Sequence, residues 1–181
     1  MNIGLVGSIL AFLPALIANP LAVIFGGGAP IDGGLKVNGK RLLGDGKTWR
    51  GLIGGGLVGG VVVMVFNFLV SPFIDMYPDS NIMYIIIFSL SFGALLGDIT
   101  ASFFKRRLGK KRGAKTPIID QFDFVVGAIL LTLLVDHRWI IETYFSGDGW
   151  IALIILIIGV PLMHRIVNII GYKLGLKKEP W

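Results

Sequence analysis

Three aspartates, Asp98, Asp120 and Asp123, surround a short and strongly basic segment in the second half of the chain. Carboxylate oxygens are ligands for Mg²⁺. Mg²⁺ in turn bridges phosphate oxygens, and lysine or arginine neutralises the charge that remains. Asp98 directly follows the apolar run from Ile82 to Gly97, where a carboxylate is costly in a membrane unless a metal or a cation compensates it. These residue types indicate phosphoryl or nucleotidyl transfer at a lipid surface.

The spacing of these residues predicts that they converge. Asp98, Ser102 and Lys105 are separated by four and three positions, which places them within about 40° of one another on one helical face. Asp120 and Asp123 are three positions apart in the first turns of the next helix. The connection between the two helices is short, so we expect them to pack antiparallel. The three carboxylates would then lie at similar depth and could hold a hard cation.

Two weaker features lie at the same predicted depth. Asn19 precedes a proline that cannot donate a backbone hydrogen bond, so its side chain lies beside a broken helical turn. Helix–helix hydrogen bonding and ligand contact are both open for it. The loop 44–51 offers Lys47, Thr48 and Arg50. Its composition suits phosphate binding, although it lacks the P-loop spacing.

The composition indicates an integral membrane protein. Of 181 residues, 54% are hydrophobic and 15% are charged, and the mean hydropathy is +0.79. A helix needs about 20 mostly apolar residues to cross a bilayer. We therefore predict an all-α membrane protein with a single domain over residues 1–181. Its five transmembrane helices are expected at about 3–25, 51–73, 82–104, 117–135 and 150–170.

The distribution of cations predicts the orientation. Of 17 lysines and arginines, all except Arg138 fall in the first and third connections or near the C-terminus. Cytoplasmic loops carry such an excess, so we expect the N-terminus outside, the C-terminus inside and the candidate site at the cytoplasmic face of the cell membrane. The segment from Met1 to Leu16 is uncharged, which favours a retained helix over a signal peptide. The aromatic residues lie mainly in the helices, so nucleic-acid binding has little support.

Seven residues carry a resemblance to a known family: Asp98, Ser102, Lys105, Arg106, Lys111, Asp120 and Asp123. Their pattern resembles the signature of the CTP-dependent phosphatidate cytidylyltransferases, spaced as in the archaeal branch, the CDP-archaeol synthases. The sequence departs from the bacterial and eukaryotic pattern at Arg112 and Gln121, and it lacks a His-Gly-Gly before Asp120. These departures favour an archaeal ether lipid over a diacyl phosphatidate as substrate.

The resemblance implies an enzyme of phospholipid biosynthesis. It would transfer CMP from CTP to the phosphate of 2,3-bis-O-geranylgeranylglycerol 1-phosphate, forming CDP-archaeol and pyrophosphate. Membrane lipids surround such an enzyme, and a homodimer is considered because five short helices make a small bundle. Neither the oligomeric state nor the way in which cytosine is selected follows from the sequence.

The resemblance also implies roles for individual residues. Asp98, Asp120 and Asp123 would bind Mg²⁺, with a second metal such as K⁺ left open, and Lys105 would act with them in catalysis. The phosphate-binding residues would be Ser102, Lys105, Arg106 and Lys111. The nucleotide pocket would be completed by Asn19, Lys47, Thr48 and Arg50.

Two alternatives remain. A small ion or solute transporter could use Asp98 as a site at its inner mouth, but a conducting path needs polar residues across the bilayer. The outer halves of the predicted helices offer little beyond Asn67. A CDP-alcohol phosphotransferase also uses clustered aspartates, but the residues after Asp45-Gly46 do not match its pattern.

Overall fold

The computed structural model describes residues 3–78, 81–110 and 116–176. Within these ranges the chain forms seven helices and one short antiparallel hairpin. In chain order they are α1 (Leu5–Leu10), α2 (Leu13–Ile24), β1 (Lys36–Val37), β2 (Lys40–Arg41), α3 (Trp49–Val70), α4 (Ile82–Arg107), α5 (Pro117–Val135), α6 (His137–Tyr144) and α7 (Gly149–Lys173).

Four helical segments of the described chain are long and apolar enough to cross a membrane. They are Leu5–Ile24, Trp49–Val70, Ile82–Arg107 and Gly149–Lys173. The predicted class, an all-α integral membrane protein, is confirmed. The fifth predicted span coincides with α5, and the count of five and the orientation stay predictions.

The first predicted helix is interrupted, which the sequence reasoning did not foresee. The chain turns at Ala11 and Phe12, and α2 begins directly after this turn with Pro14 in its first turn, where proline is tolerated because its missing N–H has no partner there anyway. The backbone carbonyl of Ala11 accepts a hydrogen bond of 2.8 Å from the hydroxyl of Tyr77. A side chain thereby satisfies a carbonyl at the break.

The connection between α5 and α7 contains a further helix that was not predicted. Helix α6 begins after Asp136, whose Oδ1 accepts a hydrogen bond of 3.1 Å from the backbone N–H of Trp139. This is an ordinary N-cap. Trp139 and Tyr144 of α6 are buried. Tertiary packing therefore stabilises this helix, which is too short to be stable on its own.

Small residues, which recur at every fourth position in α3 at Gly51, Gly55 and Gly59, bring this helix close to its neighbours. A Cβ atom on Gly55 would lie 2.7 Å from the Cβ of Ala22 in α2, and one on Gly59 would lie 2.8 Å from the Oγ of Ser91 in α4. Only glycine permits this approach of the helix backbones.

Helices α4 and α5 also touch through glycines. A Cβ on Gly93 would lie 2.7 Å from the carbonyl oxygen of Gly127, and a Cβ on Gly97 would overlap the carbonyl oxygen of Asp123. Moving toward the end of α4 thus corresponds to moving toward the start of α5, so the two helices are antiparallel, as predicted. Their closest approach lies beside Asp98 and Asp123.

The outside of the helical bundle is apolar. Many large hydrophobic side chains lie on the surface, where contact with water would be unfavourable. Among them, Phe68 is 79% exposed, Leu134 is 84% exposed and Ile158 is 70% exposed. A soluble monomer rarely tolerates so much contiguous apolar surface. This exterior fits a hydrocarbon environment and leaves the charged residues to the loops and helix ends.

Candidate active site

The loop between α2 and α3 is built by backbone pairing on both sides of Lys47. The N–H of Ile31 donates to the carbonyl of Lys47 at 2.8 Å, and the N–H of Trp49 donates to the carbonyl of Ala29 at 3.2 Å. These bonds join the beginning of the loop to its end. The backbone of Lys47 is therefore held in place just before α3.

Lys47 reaches the C-terminal half of α4, the end that the predicted orientation places inside, where its Nζ forms an ion pair with Oδ2 of Asp98. The two side chains are 22% and 28% exposed, so the pair lies partly shielded from water. The expectation that Asp98 needs a compensating partner is met here by a cation from a distant loop. Sequence reasoning assigned both residues to one site but did not foresee this contact.

A second lysine–carboxylate pair joins α4 to α5. Nζ of Lys105 lies 2.6 Å from Oδ1 of Asp120. Asp120 also accepts hydrogen bonds of 2.8 Å from both the backbone N–H and the hydroxyl of Thr116. Asp120 therefore also stabilises the first turn of α5, and its bond to Lys105 joins this turn to the basic end of α4.

Asp123 completes a cluster at this end of the bundle. Its backbone carbonyl contacts Gly97, the residue before Asp98, so Asp123 lies at the same depth of the bundle as Asp98. We define the inner charge cluster as Lys47, Asp98, Lys105, Asp120 and Asp123. Each of three separate elements, the loop before α3, α4 and α5, contributes at least one of its charges.

The carboxylates of this cluster are not gathered into a three-ligand metal site. Within the described residues, no group of three or more histidine, cysteine, aspartate or glutamate side chains has the proximity that a metal ion requires. Asp120 is engaged by Lys105 and Thr116, and Asp98 is engaged by Lys47. The metal role of the three aspartates stays a prediction.

The other sequence-predicted residues have varied surroundings. Ser102 is buried on α4 between Asp98 and Lys105. Thr48 is also buried, and its hydroxyl accepts a hydrogen bond of 3.1 Å from the N–H of Gly51, which caps α3.

Of the remaining three predicted residues, the structure does not bring the two that it describes into the cluster. The Oδ1 atom of Asn19 is buried and has no hydrogen-bond partner among the described residues. Arg50 is exposed and packs beside Gly28. Lys111, predicted to bind phosphate, lies outside the described residues.

A cavity of about 310 Å³ lies between the β-hairpin and the end of α4. Its lining residues are Lys40, Arg41, Gly44, Asp45, Arg106, Gly109 and Lys110. Four of the seven are cations, and the volume is in the range of small-ligand sites. Arg106 was predicted to bind phosphate. The sequence did not identify Lys40 or Lys110 as site residues. For Lys40 the reason is that only the folded hairpin brings it to the end of α4.

A helical bundle with an apolar exterior, paired lysines and carboxylates at one end and a cationic cavity is typical of an intramembrane enzyme that acts on phosphate-bearing substrates. A family model described as CarS-like, CDP-archaeol synthase, matches residues 1–181. The chain belongs to the CDP-archaeol synthase family. This confirms the resemblance that was drawn from the sequence motifs.

Individual relatives agree with this membership. The chain is 46% identical over 178 residues to the CDP-archaeol synthase of Methanosarcina barkeri, covering 93% of this chain and 99% of the relative. It is 49% identical over 177 residues to that of Methanocorpusculum labreanum, with the same two coverages. A solved structure of an intramembrane enzyme for archaeal membrane lipids biosynthesis has a TM-score of 0.65 and 30% identity, covering 88% of this chain and 95% of that chain.

Proposed function

We propose that the inner charge cluster is the place where this protein performs the reaction of its family. The protein is a CTP-dependent nucleotidyltransferase that forms CDP-archaeol. In the proposed reaction, CMP passes from CTP to the phosphate of an unsaturated archaeal diether lipid, and pyrophosphate leaves. The observation that carries the assignment is the convergence of Lys47, Asp98, Lys105 and Asp123 from three elements at one end of an apolar bundle.

For this reaction the protein mainly has to position the two substrates and neutralise the charge of their phosphates. An oxygen of the lipid phosphate attacks the α-phosphorus of CTP and forms a new O–P bond. The bond between the α-phosphorus and the oxygen that bridges it to the β-phosphorus breaks, and its electron pair leaves with pyrophosphate. No covalent enzyme intermediate is needed. Holding two phosphates in line and neutralising their charge accounts for most catalysis of this kind.

The donor set suits a magnesium ion that a nucleotide brings with it. Mg²⁺ is commonly held by one or two carboxylates together with substrate phosphates and water. Asp98 and Asp123 would provide two such carboxylates, although Asp98 is paired with Lys47, and Asp120, which already accepts bonds from Lys105 and Thr116, would be a third. When bound, the ion would neutralise charge on the triphosphate. A second metal such as K⁺ stays an expectation from the resemblance.

Lysine side chains have a further role in this proposal. Lys47 pairs with Asp98, and Lys105 pairs with Asp120. If Asp98 held the metal, the Lys47 ammonium would be available to phosphate oxygens, and the Lys105 ammonium would be released in the same way only if Asp120 also held it. The neighbouring cationic cavity, with Arg106, would hold the far phosphates of the nucleotide.

The position of the cluster suits substrates that arrive from two phases. The lipid phosphate lies at the membrane surface, whereas CTP comes from the cytoplasm, so the site has to lie at a helix end on the cytoplasmic side. The basic residues around it support this orientation. Proposed partners are therefore CTP, the isoprenoid ether lipid phosphate and the surrounding membrane lipids, and a homodimer stays a prediction.

The test is pyrophosphate release by the purified protein in detergent, given CTP, Mg²⁺ and geranylgeranyl diether glycerol phosphate. We expect release that depends on the lipid and falls at least 100-fold in Asp98→Asn. Asp148→Asn, which makes the same chemical change at an exposed residue before α7, should retain full activity. Normal turnover in folded Asp98→Asn would refute the assignment, and no release from a folded wild-type protein would make ion flux the next measurement.

A further inference from the structure

A buried aspartate outside the inner charge cluster organises the loop before α3. Asp32 is 5% exposed. Its Oδ1 accepts hydrogen bonds from Arg41 Nη2 at 2.7 Å and from the N–H of Gly34 at 3.1 Å. Its Oδ2 accepts from Arg41 Nε at 3.3 Å and from the N–H groups of Leu43 and Gly44 at 3.0 and 3.1 Å.

Both oxygens of this carboxylate are used by the loop itself. A carboxylate accepts about four hydrogen bonds, and Asp32 already accepts five. It therefore has no free acceptor to offer a substrate or a metal. Any influence that it has on the reaction must pass through the residues that it holds.

The network continues from Arg41 to the end of α4. The carbonyl of Arg41 accepts a hydrogen bond of 2.7 Å from Nη2 of Arg107. Arg107 also donates to the carbonyls of Val37 at 3.2 Å and Lys40 at 3.1 Å. The hairpin is thus tied to the helix that carries Asp98.

The same network reaches Lys47 from two directions. Gly44, held by Asp32, accepts a hydrogen bond of 3.3 Å at its carbonyl from the N–H of Lys47. Ile31, the neighbour of Asp32 in sequence, donates to the carbonyl of Lys47 at 2.8 Å. Both backbone groups of Lys47 are therefore bonded to residues that Asp32 binds directly or adjoins.

We propose that Asp32 is a positioning residue, which places Lys47 against Asp98 through Arg41 and the loop backbone without touching substrate. The inference rests on the proposed function, because it takes Lys47 to act in the transfer. Burying a charged pair contributes little to stability by itself. Its geometric use here is to hold the loop in register with α4.

A double-mutant cycle separates positioning from general stabilisation. The variants are Asp32→Asn, Lys47→Met and the double variant, assayed for kcat and for KM of CTP by pyrophosphate release. We expect each single variant to lower kcat/KM at least 10-fold, and the double variant to remain within about 2-fold of Lys47→Met, because coupled residues are not additive. The control cycle pairs Asp32→Asn with Lys36→Met, an exposed hairpin lysine, and its effects should multiply.

A second measurement does not depend on activity. Amide hydrogen exchange in detergent should quicken over residues 42–48 in Asp32→Asn while α3 and α4 keep wild-type protection. Normal activity in Asp32→Asn, or multiplying effects in the Lys47 cycle, would overturn the inference even if exchange quickens. Normal activity in Lys47→Met would instead refute the role of Lys47 in the proposed function, whatever Asp32 does.

Discussion

The lysines and aspartates of the inner charge cluster form pairs of opposite charge, and each pair limits which other groups its members can bind. Lys105 is 13% exposed and Asp120 is 34% exposed, so their ion pair lies between the surface and buried limits. Exposed pairs are worth about 0–1 kcal/mol, whereas removing one partner of a buried pair costs about 3–5 kcal/mol. Loss of one partner should therefore be measurable.

Lys105→Met is expected to lower turnover at least 10-fold and to lower the thermal midpoint by a few degrees, because Asp120 loses its partner and phosphate loses a cation. Pyrophosphate release and a thermal unfolding curve in detergent measure the two effects. Lys173→Met, at the end of α7, is the matched control and should change neither. Wild-type turnover in Lys105→Met would show that Lys105 has no role in the reaction.

The charge of Asp32 should be insensitive to pH in the working range. The Arg41 guanidinium, followed by the backbone N–H donors of Leu43, Gly44 and Gly34, holds the pKa of this carboxyl well below its usual range. A lowered folded-state pKa contributes stability that is complete above the unfolded value of about 3.9 and is lost as pH falls through the folded value.

The stability difference between wild type and Asp32→Asn should therefore be constant from pH 6 to pH 8, since Asp32 is fully ionised throughout. Thermal unfolding curves of the two proteins in detergent, recorded across this interval, measure the difference. A difference that grew or shrank steadily over the interval would contradict the prediction.

At the scale of elements, the site depends on the distance between α4 and α5. The glycine contacts at Gly93, Gly97 and Gly127 allow the two backbones to touch. This contact brings Asp98 and Asp123 to similar depth in two consecutive antiparallel helices. A side chain inserted here has to push the helices apart or distort one of them.

Gly97→Ala is expected to destabilise the protein by about 1–3 kcal/mol, the usual cost of overpacking, and to reduce turnover, because its Cβ would meet the Asp123 backbone. Gly159→Ala in α7 has open space around the added Cβ. It should be neutral or stabilising by up to about 1 kcal/mol. Thermal unfolding and pyrophosphate release measure both variants, and equal behaviour of the two would contradict the close contact.

At the scale of the whole molecule, an apolar exterior and a one-sided charge distribution determine how the protein lies in a bilayer. The large exposed hydrophobic side chains belong mainly to helices. Cations of the hairpin and of the end of α4 line one cavity at the same end of the molecule. The predicted orientation places this end in the cytoplasm.

The chain has no cysteine, so single introduced cysteines report orientation without background. In intact cells or spheroplasts, a membrane-impermeant maleimide should label Ser146→Cys, in the connection between α6 and α7. It should label Lys36→Cys, in the hairpin, only after permeabilisation. The reverse pattern would overturn the N-terminus-outside orientation.

The sequence by itself determined the membrane class and most helix bounds. A backbone in hydrocarbon must satisfy its own hydrogen bonds, so a long apolar run is obliged to form a helix. The predicted spans at 82–104 and 117–135 accordingly match α4 and α5 closely. The motif spacing also placed Asp98 and Lys105 on one face of α4, because helical periodicity relates residues that are near in sequence, and the short connection predicted the antiparallel packing that α4 and α5 show.

Only the tertiary structure decided which cation meets which carboxylate. Lys47 and Asp98 are 51 positions apart, and their contact depends on the Asp32 network, the hairpin and the packing of α4. The break before α2 and the buried helix α6 likewise depend on partners elsewhere in the chain, such as Tyr77. Local sequence specifies helices through their own backbone, whereas contacts between distant residues depend on how those helices pack.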